Sequence, residues 1–76
     1  MKLFAGMRAN KELKTILHEL RQYLSNNYKE PAHRAKERLI ARTEELYADG
    51  SLSEKDYREW RAIGEEYSRQ MMDYHH

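Results

Sequence analysis

A short segment near the middle of the chain, Leu46 to Tyr57, carries the signals that end one helix and begin another. Gly50 follows periodic apolar residues, and glycine commonly stands just past a helix because it adopts positive φ without a Cβ clash. Ser53 suits the N-cap of a following helix, and Asp56 lies three residues later, where a carboxylate approximates a capping box and interacts with the helix dipole. The segment therefore predicts two helices folded back on each other.

Apolar residues recur at steps of three and four in three separate segments, which is the spacing of one helix face. They predict an all-α, antiparallel three-helix bundle with helices over about residues 10–26, 31–49 and 54–72. Asn10 is the expected N-cap of the first helix, and Pro31 the expected first residue of the second, where its missing N–H costs nothing. The second helix has the widest apolar stripe, so we expect it to contact both neighbours.

The chain of 76 residues is expected to form one domain, 1–76, because this length has room for one core. Residues 1–8 are expected to form a loose lead-in, and residues 73–76 a flexible tail. Gly64 lies inside the third predicted helix, where glycine costs about 1 kcal/mol relative to alanine, so we expect another helix or a large side chain to approach it closely. Since so small a core is marginal, we also expect a homodimer.

The pattern Leu46-Tyr47-x-Asp-Gly-x-Leu-Ser-x-x-Asp-Tyr, within residues 39–63, resembles the SHOCT family of short helical hairpins. That family's pattern is Leu-x-x-Leu followed by Gly-x-Ile-Thr-x-Glu-Glu and Phe or Tyr. The resemblance covers about a third of the chain, which departs from the pattern at Leu52 and at the pair Lys55-Asp56 and adds a whole helix in front. SHOCT hairpins usually end longer proteins and are linked to oligomerisation, so the resemblance implies a helical hairpin that oligomerises.

Composition narrows the classes of function. The chain has no cysteine, which excludes disulfides and thiol chemistry, and its net charge of +1 gives no global field that attracts nucleic acid. The sequence shows neither an apolar run of membrane-spanning length nor a signal-peptide pattern, so we expect a cytoplasmic location.

No set of residues in the sequence matches a catalytic or metal site, so we expect a protein that is not an enzyme and uses no cofactor or metal. None of the four histidines has a second histidine at i+4, and no zinc motif occurs. The adjacent pairs Glu44–Glu45 and Glu65–Glu66 point about 100° apart on a helix and do not converge on one atom. The segment around Gly50 faintly resembles a calcium-binding loop. We do not expect it to bind calcium, because Tyr47 would occupy a position that needs a carboxylate.

Aromatic residues exceed what a three-helix core of this size readily encloses, and Tyr, Trp and Arg dominate interface hot spots. We therefore expect a small protein–protein interaction or regulatory module that self-associates as a homodimer and also binds a protein partner. The residues expected to make these contacts are Tyr23, Tyr28, Trp60, Tyr67 and Tyr74.

Two alternatives stay open. Arg34, Arg38 and Arg42 step by four along the second predicted helix, and such a row can contact nucleic-acid phosphates, although ion pairing with glutamates of the same helix is commoner. A less favoured third function is peripheral attachment to a membrane through residues 2–17, where basic and apolar residues give an amphipathic N-terminus.

Overall fold

The computed structural model describes residues 3–74, apart from the side chains of Leu3 and Phe4. The chain forms three helices: α1, Leu3–Ser25; α2, Lys29–Ala48; and α3, Glu54–Gln70. No strand occurs within the described residues. The all-α, three-helix fold predicted from the apolar periodicity is confirmed.

Contacts between side chains fix the direction of each helix. Arg42, near the end of α2, pairs with Glu12 in the first half of α1, so these two helices run antiparallel. The hydroxyl of Tyr57, at the start of α3, donates to the carboxylate of Glu44 near the end of α2, so α2 and α3 are antiparallel as well. The backbone of α2 lies close to both neighbours, whereas α1 and α3 approach each other at few positions. The expectation that the second helix is central is therefore confirmed.

Both turns between helices use the same backbone motif, in which a residue with positive φ lets the following N–H groups reach the last carbonyls of the helix. Gly50 has φ 85°, and the N–H of Ser51 donates to the carbonyl of Leu46 at 2.9 Å. Asn27 has φ 58°, and the equivalent bond in that turn is 2.8 Å long. The helix stops predicted at the glycine and at the asparagine pair are thus confirmed.

The capped start of α3 also follows the prediction. Ser53 is the N-cap, with extended φ and ψ of −68° and 161°, and its hydroxyl accepts a hydrogen bond from the N–H of Asp56 at 3.1 Å. Leu52, just before the cap, is buried. The turn and the cap together hold α3 against α2.

α1 begins at Leu3, seven residues before the predicted start, so residues 3–8 are helical and do not form the expected loose lead-in. The cause is tertiary. Ala9 is buried, and a Cβ built on Gly6 would lie 3.6 Å from the carbonyl oxygen of Ser51 in the α2–α3 turn. Packing of the first turns against the rest of the protein outweighs the low helix propensity of glycine.

Two further boundaries differ from the prediction. α2 begins at Lys29, so Pro31 is its third residue. Proline is still tolerated there, because the N–H groups of the first turn have no partner within a helix.

The end of the chain also differs from the prediction. α3 ends at Gln70, and Tyr74 lies in the segment expected to be a flexible tail, yet its hydroxyl donates to Oδ1 of Asn27 at 2.9 Å. The last two residues of the predicted tail, 75 and 76, lie outside the described residues.

The core lies where the inner sides of the three helices meet. Its largest fully buried side chains are Leu13, Ile16, Leu20, Leu39 and Thr43. Ala32 and Ala35 are also buried, and such small side chains on α2 let α1 come close. The Thr43 hydroxyl donates to the carbonyl of Leu39 at 2.8 Å, so the buried polar group is satisfied.

Asn10 is not the N-cap of α1, since it lies inside the helix and joins α1 to α3. Its Oδ1 accepts a 2.7 Å hydrogen bond from Nε1 of the buried Trp60. Its Nδ2 donates to Oδ2 of Asp56 at 3.0 Å and to the carbonyl of Gly6 at 2.8 Å. The amide of Asn10 therefore gives the indole N–H of Trp60 an acceptor. It also links α1 to α3, whose backbones approach each other at few positions.

We expect Asn10→Ala to lower the free energy of unfolding by about 1–3 kcal/mol, because the buried indole N–H of Trp60 loses its partner. Urea denaturation measures the loss. Asn26→Ala is the control, since the amide of Asn26, just past α1, donates to the exposed carbonyl of Gln22, and we expect a change within about 0.5 kcal/mol. Equal losses for the two variants would contradict the bridging role.

Gly64 is in the close contact that the sequence predicted. A Cβ built on it would lie 2.9 Å from Cγ1 of Ile40 on α2, a distance at which one of the two groups must move. Ile40 is β-branched and stiff at χ1 in a helix, so it does not move freely.

We expect Gly64→Ala to destabilise the fold by up to about 2 kcal/mol, because overpacking outweighs the gain of about 1 kcal/mol in helix propensity. Gly6→Ala meets only ordinary contacts and should raise the melting temperature. In an Ile40→Ala background, which removes Cγ1, Gly64→Ala should become stabilising. A higher melting temperature for Gly64→Ala alone would be inconsistent with the contact.

Candidate protein-interaction surface

A groove of about 480 Å³ runs along α2 and α3 and has no lining residue from α1. The buried residues Thr43 and Trp60 form its floor. Its rims are formed by Ile40, Glu44, Arg61, Glu65, Ser68 and Arg69. Long side chains form most of the rims, and together with the floor they enclose a concave surface between the two helices.

Exposed apolar side chains border the groove. Ile40 is 37% exposed and Tyr47 is 39% exposed, and their separation of seven residues places them two turns apart on one side of α2. The ring of Tyr57 from α3 stacks on Tyr47, with centroids 3.9 Å apart and planes 9° apart. We define Ile40, Tyr47, Tyr57 and the groove as the α2–α3 face.

The stacked tyrosines are held in place by hydrogen bonding. The Tyr57 hydroxyl donates to both carboxylate oxygens of Glu44, at 2.9 Å each. The bond to this carboxylate raises the pKa of Tyr57, because the carboxylate favours the protonated phenol. The aromatic pair is therefore pre-organised, which reduces the entropy lost when a partner binds.

The charged rim of the face is balanced. Glu44 and Glu65 supply two carboxylates, and Arg61 and Arg69 supply two guanidinium groups. Arg61 pairs with Glu65 along α3 at 3.3 Å. The rim therefore selects neither a strongly acidic nor a strongly basic partner.

The aromatic residues predicted to make contacts do not lie together on one surface. Trp60 is only 6% exposed and belongs to the core, so it contributes only to the floor of the groove. Tyr67 is half-buried, and its hydroxyl accepts a hydrogen bond from Nε of Arg21 at 3.0 Å, on the side of α3 that faces α1.

The other three predicted contact residues lie around the α1–α2 turn, to which Tyr74 is joined by its hydroxyl bond to Asn27. Tyr28, the N-cap of α2, is 56% exposed, and Tyr23 is half-buried. Tyr74 packs against α2, where the imidazole of His33 donates to its carbonyl and Nζ of Lys29 lies 5.5 Å from its ring centroid. These contacts tie the end of the chain to the bundle.

Sequence reasoning missed the exposed members of the α2–α3 face, although a signal was present. The adjacent apolar pairs Leu39–Ile40 and Leu46–Tyr47 widen the stripe of α2. In each pair the first residue is buried and the second is exposed, because neighbours on a helix point about 100° apart. The second residue of each adjacent pair therefore belongs to the exposed α2–α3 face.

The arginine row proposed for nucleic acid is paired with carboxylates. Arg34 lies 2.9 Å from Glu30. Arg38 lies 3.3 Å from Glu19 of α1. These exposed pairs neutralise the first two positions of the row.

The third position of the row makes the strongest ion pair between helices. Arg42 donates to both oxygens of Glu12, at 2.5 and 2.9 Å, and also to Glu45 at 2.7 Å. The hydrogen bonds from Arg42 lower the pKa of Glu12, since they favour the ionised carboxylate. The row therefore joins α2 to α1.

Within residues 3–74, no group of three or more His, Cys, Asp or Glu side chains is placed to hold a metal ion. In the same part of the chain, no helix is long and apolar enough to cross a membrane. Comparison of the chain with protein-family models, curated proteins and solved structures found no match.

The Glu12–Arg42 pair predicts a pH-dependent stability. Because the pKa of Glu12 is lowered in the folded state, its stabilisation is present above the unfolded pKa of about 4.3 and is lost as pH falls through the folded value. Both side chains are more than a third exposed, so we expect Glu12→Gln to cost less than about 1 kcal/mol at pH 7.

Urea denaturation of Glu12→Gln and the parent at about pH 7 and pH 3 measures this effect, and the difference between them should shrink at the lower pH. Glu37→Gln removes an exposed carboxylate with no ion pair among the described residues and should show no such change. A cost of Glu12→Gln that is the same at both pH values would contradict the assignment.

Proposed function

We propose that this chain is a non-enzymatic protein–protein interaction module that self-associates as a homodimer through the α2–α3 face. The observation that supports the proposal is the partial exposure of Ile40 and Tyr47 on one side of α2, with the ring of Trp60 in the floor of the groove beside Ile40. Contiguous exposed apolar surface in a small domain commonly marks a contact site. The cytoplasmic location expected from the sequence belongs to the same proposal.

The charges of the α2–α3 face are compatible with a second copy of the chain as its partner. Its rim carries two carboxylates and two guanidinium groups, so two identical rims meet without a net repulsion. In a two-fold dimer the same patch is used on both copies, and a rim with both signs can be complementary to itself. A strongly charged partner would gain nothing from this rim.

A second copy also suits the shape of the face. With a two-fold axis parallel to the helices, α2 of one copy lies over α3 of the other, and the four helices form an antiparallel bundle. Ile40 and Gly64 lie at the same height in one copy, since a Cβ on Gly64 would touch Ile40. This symmetry therefore brings the two Ile40 side chains to the same height, each facing α3 of the other copy.

The size of the domain and its resemblance to known hairpins support the same proposal. A chain of 76 residues buries a limited core, and association is a common way to add buried area. The resemblance of residues 39–63 to SHOCT hairpins implies oligomerisation through the same pair of helices. The arginine row on α2 is not proposed as a second function, because each of its guanidinium groups already pairs with a carboxylate.

Size-exclusion chromatography with light scattering over a range of protein concentrations tests the proposal. We expect twice the chain mass for the parent. Ile40→Gln should raise the dimer Kd at least about tenfold, because each interface then buries two amides without partners.

Met7→Gln is the matched control, since Met7 is 67% exposed on α1 and lies outside the α2–α3 face. It should leave the dimer unchanged, and thermal melts should show both variants folded. A monomer at every concentration would refute self-association, whereas a dimer that Ile40→Gln leaves intact would show that another face is used.

A further inference from the structure

The outer side of α1 carries a continuous row of basic residues. We call them the α1 cation stripe: Arg8, Lys11, Lys14, His18 and Arg21. All are exposed, and their steps of three and four residues keep them on one side of the helix. From the first to the last the stripe extends over about 20 Å at 1.5 Å per residue.

The cations of this stripe differ from the arginines elsewhere in the protein. Each arginine of α2 and α3 lies within 4.0 Å of a carboxylate. In the described part of the chain, no carboxylate oxygen comes that close to the four lysine and arginine side chains of the stripe. Arg21 uses its Nε to donate to the neutral hydroxyl of Tyr67, so its charge stays uncompensated.

The acidic residues of α1 lie at the edge of the stripe that is nearer to α2. Glu12 and Glu19 face α2, where they pair with Arg42 and Arg38. α1 has four lysines and arginines and two glutamates, a net charge of +2, and both glutamates are paired with arginines of α2. The structure therefore pairs the acidic residues of α1 with another helix and leaves its cations without ion pairs among the described residues.

Across the open space between α1 and α3, two carboxylates face the edge of the stripe. Asp56 and Glu59 line a groove of about 690 Å³ together with Lys14 and Arg21. Asp56 is engaged by the amide of Asn10. The outermost side of α1 lies beyond this edge and holds Lys11, Thr15 and Gln22, whereas His18 also lines the groove.

We propose that the α1 cation stripe binds the phosphate backbone of double-stranded nucleic acid. Uncompensated cations in a row release counterions from a polyanion, which is the main source of such binding. A helix about 10–12 Å across fits the major groove, which is about 12 Å wide. The amide of Gln22 adds a neutral donor, whereas the hydroxyl of Thr15 donates to the carbonyl of Lys11 at 3.0 Å. α1 packs closely on α2 and contacts α3 at few positions, so the side of α1 that carries the stripe is not covered by either helix.

An anionic lipid surface has the same charge but suits α1 less well. A helix that lies on a membrane inserts an apolar side, and the apolar side of α1 is used in the core, where Leu13, Ile16 and Leu20 are fully buried. Met7 is the large exposed apolar side chain that the described part of α1 offers. The proposal does not depend on the dimer, since the α2–α3 face uses the other two helices.

Fluorescence anisotropy with a labelled DNA duplex of about 20 base pairs tests the proposal. We expect binding at about 50 mM salt, with a slope of about −3 to −4 in log K against log salt for four phosphate contacts. Lys11→Gln with Lys14→Gln should weaken binding at least about tenfold and reduce the slope by about 2.

Arg34→Gln with Arg38→Gln is the matched control, because it removes the same charge from the paired row on α2. It should change the affinity less than about twofold at the same salt concentration. Thermal melts test whether both double variants are folded. We expect them to fold, because all of the substituted side chains are exposed.

Three outcomes would overturn the proposal. The parent does not bind the duplex at low salt; the two double variants lose affinity equally; or vesicles of mixed phosphatidylserine and phosphatidylcholine bind the stripe more tightly than the duplex does. Light scattering without DNA reports the dimer separately, so failure of this proposal and failure of the proposed self-association are distinguishable.

Discussion

The packing of α2 between α1 and α3 is the constraint on which the rest of the structure depends. α2 contributes small buried residues, Ala32, Ala35 and Thr43, so both neighbours approach it closely. A narrow core of this kind cannot take in every apolar residue of α2. Ile40 and Tyr47 are left outside it, where they border the groove with α3. The exposed face proposed for self-association is thus a direct consequence of how the core is filled.

The same packing divides the charges of the chain. α1 and α2 are joined by the pairs Glu12–Arg42 and Glu19–Arg38, which use the acidic residues of α1. The lysine and arginine side chains of α1 are left exposed, with no carboxylate oxygen within 4.0 Å among the described residues. Ion pairs of this exposure add little stability. Their larger effect is on the surface charge: the arginine row of α2 is neutralised, and the α1 cation stripe is left without ion pairs.

Two different surfaces therefore lie on different helices of one small bundle. The α2–α3 face is apolar with a balanced rim, and the α1 cation stripe is polar with one sign of charge. Asn10 connects the two regions, because its amide joins α1 to Trp60, whose ring forms part of the groove floor on α2 and α3. The two proposed contacts therefore involve different parts of the molecule.

The sequence alone determined the helices, both turns and the capped start of α3, because these depend on local chemistry: apolar spacing, positive φ at Gly50 and Asn27, and the hydroxyl of Ser53. It also predicted the close contact at Gly64. Only the tertiary structure decided that α1 begins at Leu3, that Asn10 bridges helices, and which cations are paired. Those properties depend on residues distant in the chain, and a periodic pattern places a residue on a helix face without showing what lies opposite.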